Sequence, residues 1–285
     1  MSDVLSQEPT PGVLQWLQSQ RAAGFDSLAL YKALRESGWE HAVACRMVGL
    51  QPAQVDESTR DLRGAQDPSL PWPQGAGERN VLDAGDRPVQ ALAVMREPNI
   101  VLLGDLLSAQ ECQALIEAAR PRLSRSLTVA VKTGGEEENA DRTSQGMFFE
   151  RGESELIARI EARLAHLLGW PADHGEGLQI LRYGPGAEYK PHYDYFDPRE
   201  PGTASILQRG GQRVATVVMY LNEPEAGGGT VFPDARFECL PCQGHAVFFN
   251  YARPHPSTRS LHGGSPVVRG EKWIATKWLR QGVFA

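Results

Sequence analysis

The sequence has 285 residues, of which 41% are hydrophobic and 22% charged, a composition that fits one large globular domain or one domain with a small appendage. Its 29 basic and 35 acidic side chains leave a net charge of −6, which argues against a polyanion-binding protein. No run approaches the roughly 18 apolar residues of a membrane span, and MSDVLSQEPT lacks the basic and apolar regions of an export signal, so the expectation is a cytoplasmic protein with no membrane or nucleic-acid partner.

Residues 12–50 predict three short helices separated by glycines. The first carries Val13, Leu14, Trp16 and Leu17 and stops at Gly24. The second follows a cap at Asp26 or Ser27, carries Leu28, Leu30, Tyr31 and Leu34, and stops at Gly38. The third carries Val43, Ala44, Met47 and Val48 and stops at Gly49. Residues 1–50 are therefore expected to form a small helical region, either packed on the main domain or recruiting a partner. Residues 51–80 turn polar and then rich in Pro and Gly (DPSLPWPQGAG), a linker signature, which leaves 81–285 as the main domain.

Within that domain, Ile100 to Leu103 is a short apolar run. Ser108 with Glu111 makes a capping box for a helix carrying Cys112, Leu115, Ile116 and Ala119, ended before Pro121. Leu156, Ile157, Ile160, Leu164, Leu167 and Leu168 follow helical spacing, closed by Gly169 and Pro171. After residue 175 come β-rich runs at Leu178–Tyr183, Arg213–Leu221, Thr230–Phe232, His245–Phe249 and Lys272–Leu279, split by Gly and Pro turns. This order predicts a mainly β fold with flanking helices, a sandwich or a double-stranded β-helix (jelly roll). The four cysteines, Cys45, Cys112, Cys239 and Cys242, are too few for a disulfide framework. Cys239 and Cys242 form a CxxC with no second pair to complete a zinc site, and are expected beside a core strand.

The chemistry is concentrated in Tyr183 through Tyr195, which holds the H-x-D of His192 and Asp194. On a strand, residues i and i+2 face one side, so both can reach one cavity. The motif alone is weak; a third partner, His262 in Ser260-Leu-His-Gly-Gly, strengthens it. Two histidines and a carboxylate from separate strands of a jelly roll can occupy one face of an octahedral metal. Three positions stay open, as in non-heme Fe(II) oxygenases. A 2-oxo acid can chelate that iron and leave one place for O2. Its distal carboxylate then needs a fixed cation, and Lys272 opens the apolar run KWIATKW. Burying an unpaired ammonium is costly, and a bound dicarboxylate removes that cost.

Residues 142–285 resemble the catalytic domain of the prolyl 4-hydroxylases, 2-oxoglutarate- and Fe(II)-dependent dioxygenases related to the collagen-modifying enzymes. The matching stretches are Arg142 to Phe148, His174 to Gln179, Tyr183 to Tyr195, Gly211 to Thr216 with Met219 to Asn222, Gly227 to Pro233, and Ser260 through Leu279. The resemblance implies that His192, Asp194 and His262 hold iron. It implies that Lys272 pairs with the distal carboxylate of 2-oxoglutarate, helped by Tyr183 and Thr216. Tyr189, Trp278, Arg142, Ser144, Glu176 and Arg213 match positions lining the peptide groove, where aromatic faces suit proline rings and Arg and Ser suit peptide carbonyls. The implied reaction is hydroxylation of prolyl residues, at C4, in a protein or peptide, with succinate and CO2 as co-products. Ascorbate is a further small molecule the family raises.

Two departures stand out. The family usually has an acid after the paired glycines, where this chain has Gly229, and Gly-Asp where it has Gly244-His245. His245 is expected to be structural and His255 a loop residue, and His41, His166 and His174 receive no role. Thr133–Asp141 and Asp197–Gly211 read as mobile loops that could close over a peptide and exclude water. Open alternatives are the same chemistry on another side chain, a free amino acid or a nucleobase, a zinc enzyme, and a catalytically idle peptide-binding module.

Overall fold

The computed structural model describes residues 8–22, 24–37, 39–51, 69–125, 127–129, 136–138 and 143–285. The chain divides into two compact units, Met1–Ala65 and Gln66–Ala285. The first contains helices α1 (Pro11–Ala22), α2 (Ser27–Glu36) and α3 (His41–Val48). Asp26 caps α2 by accepting from the Ala29 amide, and Gly49 ends α3 in the left-handed conformation. Leu17, Leu30, Tyr31, Leu34, Ala44, Cys45 and Val48 bury one another in a core of their own.

The second unit begins earlier than the linker signature indicates. Trp72 is only 7% exposed and packs edge-on against Phe248, and the Pro71 carbonyl accepts from the buried Asn250 side chain. The Pro- and Gly-rich stretch is therefore part of the domain from at least residue 70, and the expected boundary at 80 is corrected. Prolines fix an extended path without donating to a ladder, and that path carries the indole into the core.

The elements that follow are β1 (Val81–Asp83), β2 (Pro88–Arg96), β3 (Asn99–Gly104), α4 (Ala109–Ala119), β4 (Ser124–Arg125), β5 (Leu127–Val129), β6 (Glu136–Glu138), β7 (Gln145–Phe149) and α5 (Glu155–Leu168). Next are β8 (Leu178–Tyr183), β9 (Tyr189–His192), α6 (Thr203–Leu207), β10 (Arg213–Tyr220), β11 (Ala226–Gly227), β12 (Thr230–Phe232) and β13 (Phe237–Cys239). The last are β14 (Ala246–Asn250), β15 (His262–Gly264), β16 (Val267–Arg269) and β17 (Lys272–Arg280). The major sheet has the order β1-β2-β3-β14-β10-β17-β8-β7-β4 and the minor sheet β13-β12-β15-β9. From β8 onward the chain passes repeatedly from one sheet to the other: β8, β10, β14 and β17 are major, while β9, β12, β13 and β15 are minor. That is the winding of a jelly roll.

Two cores result from strand alternation. One face of the major sheet packs on α4 and α5 through residues such as Leu115, Leu164, Ile180, Val217 and Ala275. The other face meets the minor sheet through Leu181, Tyr183, Val218, Tyr220, Phe232, Phe249 and Ile274. The capping box of α4 forms as expected, Ser108 accepting from the Glu111 amide and Glu111 from the Ser108 amide. Gly169 ends α5 with a φ of 60°. The segment Asp197–Gly211, read from sequence as a mobile loop, contains α6, and the Thr203 hydroxyl donates to the Asp197 carbonyl. Of Thr133–Asp141, only the backbone of β6 falls within the described residues. No helix among the described residues is long and apolar enough to cross a membrane.

Candidate active site

Strand register, rather than proximity in sequence, builds the site. His262 of β15 lies directly opposite His192 of β9. Lys272 of β17 lies opposite Tyr183 of β8, and Thr216 of β10 opposite Trp278 of β17. Residues in such pairs have side chains on the same face and in reach of one another. The close approach of β15 to β9 requires Gly263: a Cβ there would lie 2.8 Å from the Tyr189 carbonyl oxygen.

Asp194 is placed differently from the sequence expectation. β9 ends at His192, and Asp194 follows in a bend that returns its carboxylate to the two rings. The Nε2 of His192 stands 3.6 Å from Asp194 Oδ1, and the Nε2 of His262 stands 3.4 Å from Oδ2. One ligand atom from each of the three residues lies within 4.8 Å of the others. Each imidazole is oriented by its own chain: Nδ1 of His192 donates to the Lys190 carbonyl at 2.9 Å, and Nδ1 of His262 to the Ser260 carbonyl at 3.0 Å. With the proton held on Nδ1, the Nε2 lone pairs face the common point, the arrangement a metal ligand needs.

The electrostatics agree. Burial pulls His262 down to about 4 against the attraction of Asp194, so the ring is neutral at physiological pH. Burial disfavours the Asp194 carboxylate. The attraction of His262, the bond to His192 and the Arg213 guanidinium outweigh that effect, and the carboxyl stays below the ordinary range. The Thr216 hydroxyl donates to Asp194 Oδ2 at 2.7 Å and lies 3.1 Å from the Tyr251 hydroxyl. Two imidazoles with Nε2 turned to one point and an ionised, oriented carboxylate suit a divalent cation of Fe(II) type.

Tyr183, Tyr189, Thr216, Trp278 and Lys272 line the same cavity as the triad. Lys272 is 3% exposed, and among the described residues its ammonium has no hydrogen bond and no ion pair. It lies 5.6 Å from the Tyr183 ring centre and 5.9 Å from that of Tyr220. Burial pulls it down to about 8, against the attraction of Cys239 and Glu238. An orphan buried cation on the cavity wall that holds a carboxylate–imidazole triad fits a ligand that is itself an acid. The Tyr189 ring stacks on His192 with centres 3.7 Å apart.

Three of the expected groove residues are not among those that line this cavity. Glu176 and Arg213 do not line the cavity: Arg213 Nε and Nη2 donate to the two Glu176 oxygens at 2.6 and 2.8 Å. Ser144 is buried just before β7 and is likewise not among the residues that line this cavity. Arg142 lies outside the described residues. The space a side chain would need at Gly229 is taken by the end of Glu238, whose carboxylate accepts from Ser265. His245 sits at the turn before β14, its carbonyl accepting from the Tyr220 amide. Cys239 and Cys242 are free thiols, Cys239 in the core between the sheets.

Sequence reasoning missed Tyr251, Val218, Ile274, Thr276 and Arg280. Strand parity was a usable signal for most of them. Ile274, Thr276 and Arg280 share the face of Lys272 and Trp278, and Val218 that of Thr216. Tyr251, one residue past β14, carries no such mark.

A jelly roll with a His-x-Asp and a distant His converging beside a buried lysine is the architecture of one oxygenase class. The family model described as the 2OG-Fe(II) oxygenase superfamily matches residues 178–280. Probable prolyl 4-hydroxylase 3 of Arabidopsis thaliana is 39% identical over 255 residues, covering 82% of this chain and 85% of that protein. Prolyl 4-hydroxylase 5 of the same plant is 40% identical over 221 residues, covering 70% and 74%. A solved viral collagen prolyl hydroxylase from Paramecium Bursaria Chlorella virus-1, in complex with 2OG, is 31% identical with a TM-score of 0.49, covering 64% of this chain and 95% of that one. The chain belongs to the prolyl 4-hydroxylase family of 2OG-Fe(II) oxygenases. Its cofactor chemistry is accordingly that of Fe(II), 2-oxoglutarate and O2.

Proposed function

We propose that this protein hydroxylates prolyl residues of a peptide or protein at C4, with His192, Asp194 and His262 holding Fe(II) and Lys272 gripping the distal carboxylate of 2-oxoglutarate. When bound, iron, 2-oxoglutarate and O2 would supply the chemistry that turns a C–H bond into C–OH, one oxygen atom going to the hydroxyl and the other to succinate, with CO2 released. The chain's own residues do the rest. The Lys190 and Ser260 carbonyls fix the imidazole tautomers. Thr216 holds Asp194 in one orientation and keeps its charge oriented toward the two rings. Leu181, Val218 and Ile274 add apolar side chains to the wall of the cavity that Lys272 and the triad share, which limits the water that can compete for the ammonium. Tyr189 and Trp278 present aromatic faces on the wall, surfaces that suit a pyrrolidine ring.

The observation that carries this reading is the unpaired Lys272 ammonium sharing one cavity with the triad. The alternative of an idle peptide-binding module leaves that cation without a purpose. The test is succinate release and a +16 Da gain on proline-containing peptides, each read by mass spectrometry, in wild type and in His192→Ala and Asp194→Ala. Loss of both products in the variants is expected, and unchanged succinate release would refute the reading. A product found only on free amino acids or on non-prolyl side chains would keep the oxygenase and replace the substrate.

A further inference from the structure

The aromatic wall does not end at the mouth of the cavity. Phe148 of β7 pairs across the major sheet with Gln179 of β8, and Gln179 pairs with Thr276 of β17. Paired residues share a face, so Phe148 lies on the sheet face from which Lys272, Thr276 and Trp278 line the cavity. Its ring centre is 6.4 Å from that of Trp278, with the planes tilted by 36°. Trp278 is 7% exposed and lines the cavity, whereas Phe148 is 45% exposed and stands outside it.

The ring is uncovered and its backbone is held. Gly177, just before β8, has no side chain to lay over it. A Cβ there would lie 2.5 Å from the Phe149 carbonyl oxygen and 3.9 Å from Phe148 Cδ1. Arg122 donates from Nη2 to the Phe148 carbonyl at 3.1 Å and from Nη1 to Glu153 at 2.5 Å. The same guanidinium lies 5.0 Å over the ring of Phe149, which is buried in the core on the helix side. A single exposed apolar residue is ordinary surface. Among the described residues of the large unit, however, Phe148 is the exposed member of the Phe, Tyr and Trp set, and it adjoins the active cavity. Proline-rich chains dock on aromatic-lined grooves. They are stiff and rise about 3.1 Å per residue, so two or three residues advance roughly 6–9 Å, the scale of the step between the two rings.

We infer that Phe148 is a specificity residue. It receives a second proline ring of the same substrate chain, outside the cavity and about two or three residues from the one at Trp278, so that proline-rich segments are taken in preference to isolated prolines. This deepens the prolyl-hydroxylase reading above and rests on it.

The experiment measures KM and kcat for hydroxylation of two peptides of equal length, a Pro-Ala repeat and a peptide with one proline among alanines. The proteins are wild type, Phe148→Ser and Phe148→Trp, and peptide-free succinate release reports whether each cavity is intact. Wild type should show the lower KM for the repeat. Phe148→Ser should raise that KM roughly two- to tenfold and leave the KM of the single-proline peptide in place, while Phe148→Trp, which keeps an aromatic face, should retain the preference. Equal KM values for the two peptides in wild type, or no change of either in Phe148→Ser, would overturn the inference and return Phe148 to ordinary surface. An equal rise for both peptides would also overturn it, by placing the ring at the reacting residue. Should Phe148→Ser not fold, Phe148→Leu, which keeps an apolar side chain without the aromatic face, decides by the same criteria. If wild type releases succinate but hydroxylates neither peptide, the prolyl reading itself fails and this inference with it.

Discussion

Replacing Lys272 with methionine should make the unliganded protein more stable while disabling it. The ammonium is buried without an acid to pair with, and burial pulls it from 10.5 down to about 8. At about 1.4 kcal/mol per pH unit, keeping that charge in the fold costs on the order of 3 kcal/mol. The sign follows from proton linkage. Below pH 8 the lysine is charged in both the folded and the unfolded chain, and the full cost is present. Between pH 8 and 10.5 the folded protein has released the proton and the unfolded chain retains it, so stability rises with pH. Above 10.5 both forms are neutral and the cost is gone. Lys272→Met removes the charge at every pH. At pH 7 it should therefore melt higher than wild type by roughly 6–12 °C, given about 2–4 °C per kcal/mol for a domain of this size. The gap should close by pH 11. With Mn2+ present, 2-oxoglutarate at a hundredfold excess over its Kd should stabilise wild type by about 2.7 kcal/mol and leave Lys272→Met unmoved. Scanning fluorimetry over this pH range, with and without 2-oxoglutarate, reads both effects. A variant that melts below wild type at pH 7, or that gains as much from 2-oxoglutarate, refutes the reasoning.

Thr216→Val keeps the shape of the side chain and removes the donor to Asp194; Mn2+ affinity measured by calorimetry should weaken roughly tenfold. The metal-free protein should lose stability as pH falls from 6.5 through about 4, because the unfolded chain protonates His262 before the folded one does. Urea unfolding in that window should show a shallower slope for His262→Asn, and an identical slope would remove His262 as its source. Trp72→Ala should destabilise the large unit by about 3–5 kcal/mol, since the ring packs on Phe248 and lies under the Arg96 guanidinium. A change below about 1 kcal/mol in chemical denaturation would return residues 70–76 to the role of a linker.

What could be read from the sequence was local. The helix from Ala109 was legible because Ser108 and Glu111 satisfy its first amides, and the helix ending at Leu168 because only a residue such as Gly169 takes the left-handed turn that stops it. β8, β10 and β17 showed as apolar runs because they are buried on both faces. β9 was assumed beneath the H-x-D but carries no β-rich run of its own: it is four residues long, includes Pro191 and is half-buried at most. The H-x-D was legible as residue types, yet the geometry assumed for it was incomplete, since Asp194 lies past the strand end. Strand register is a long-range property, and nothing local indicates that His262 pairs with His192 or Arg213 with Arg280. That is why the pairing of Glu176 with two opposed arginines was not foreseen. The acid lies between two opposed guanidiniums.

β17 shows how the same residue type acquires opposite meanings. Its nine residues are all buried, and three of them are cations: Lys272, Lys277 and Arg280. A protein interior holds a cation only with a partner. Lys277 faces the helix side and donates to Glu161 of α5. Arg280, on the opposite face, shares Glu176 with Arg213. Lys272 has the same face as Arg280 and the same burial, yet no carboxylate of the described residues pairs with it. Composition treats the two lysines alike. Parity separates them: residues an odd number of positions apart on a strand face opposite sides, and Lys277 is five positions beyond Lys272. The unpaired member is the one that opens onto the triad. The acid that completes its pairing must therefore arrive with a ligand, and a ligand with a second set of oxygens for the metal end of the cavity satisfies both ends at once.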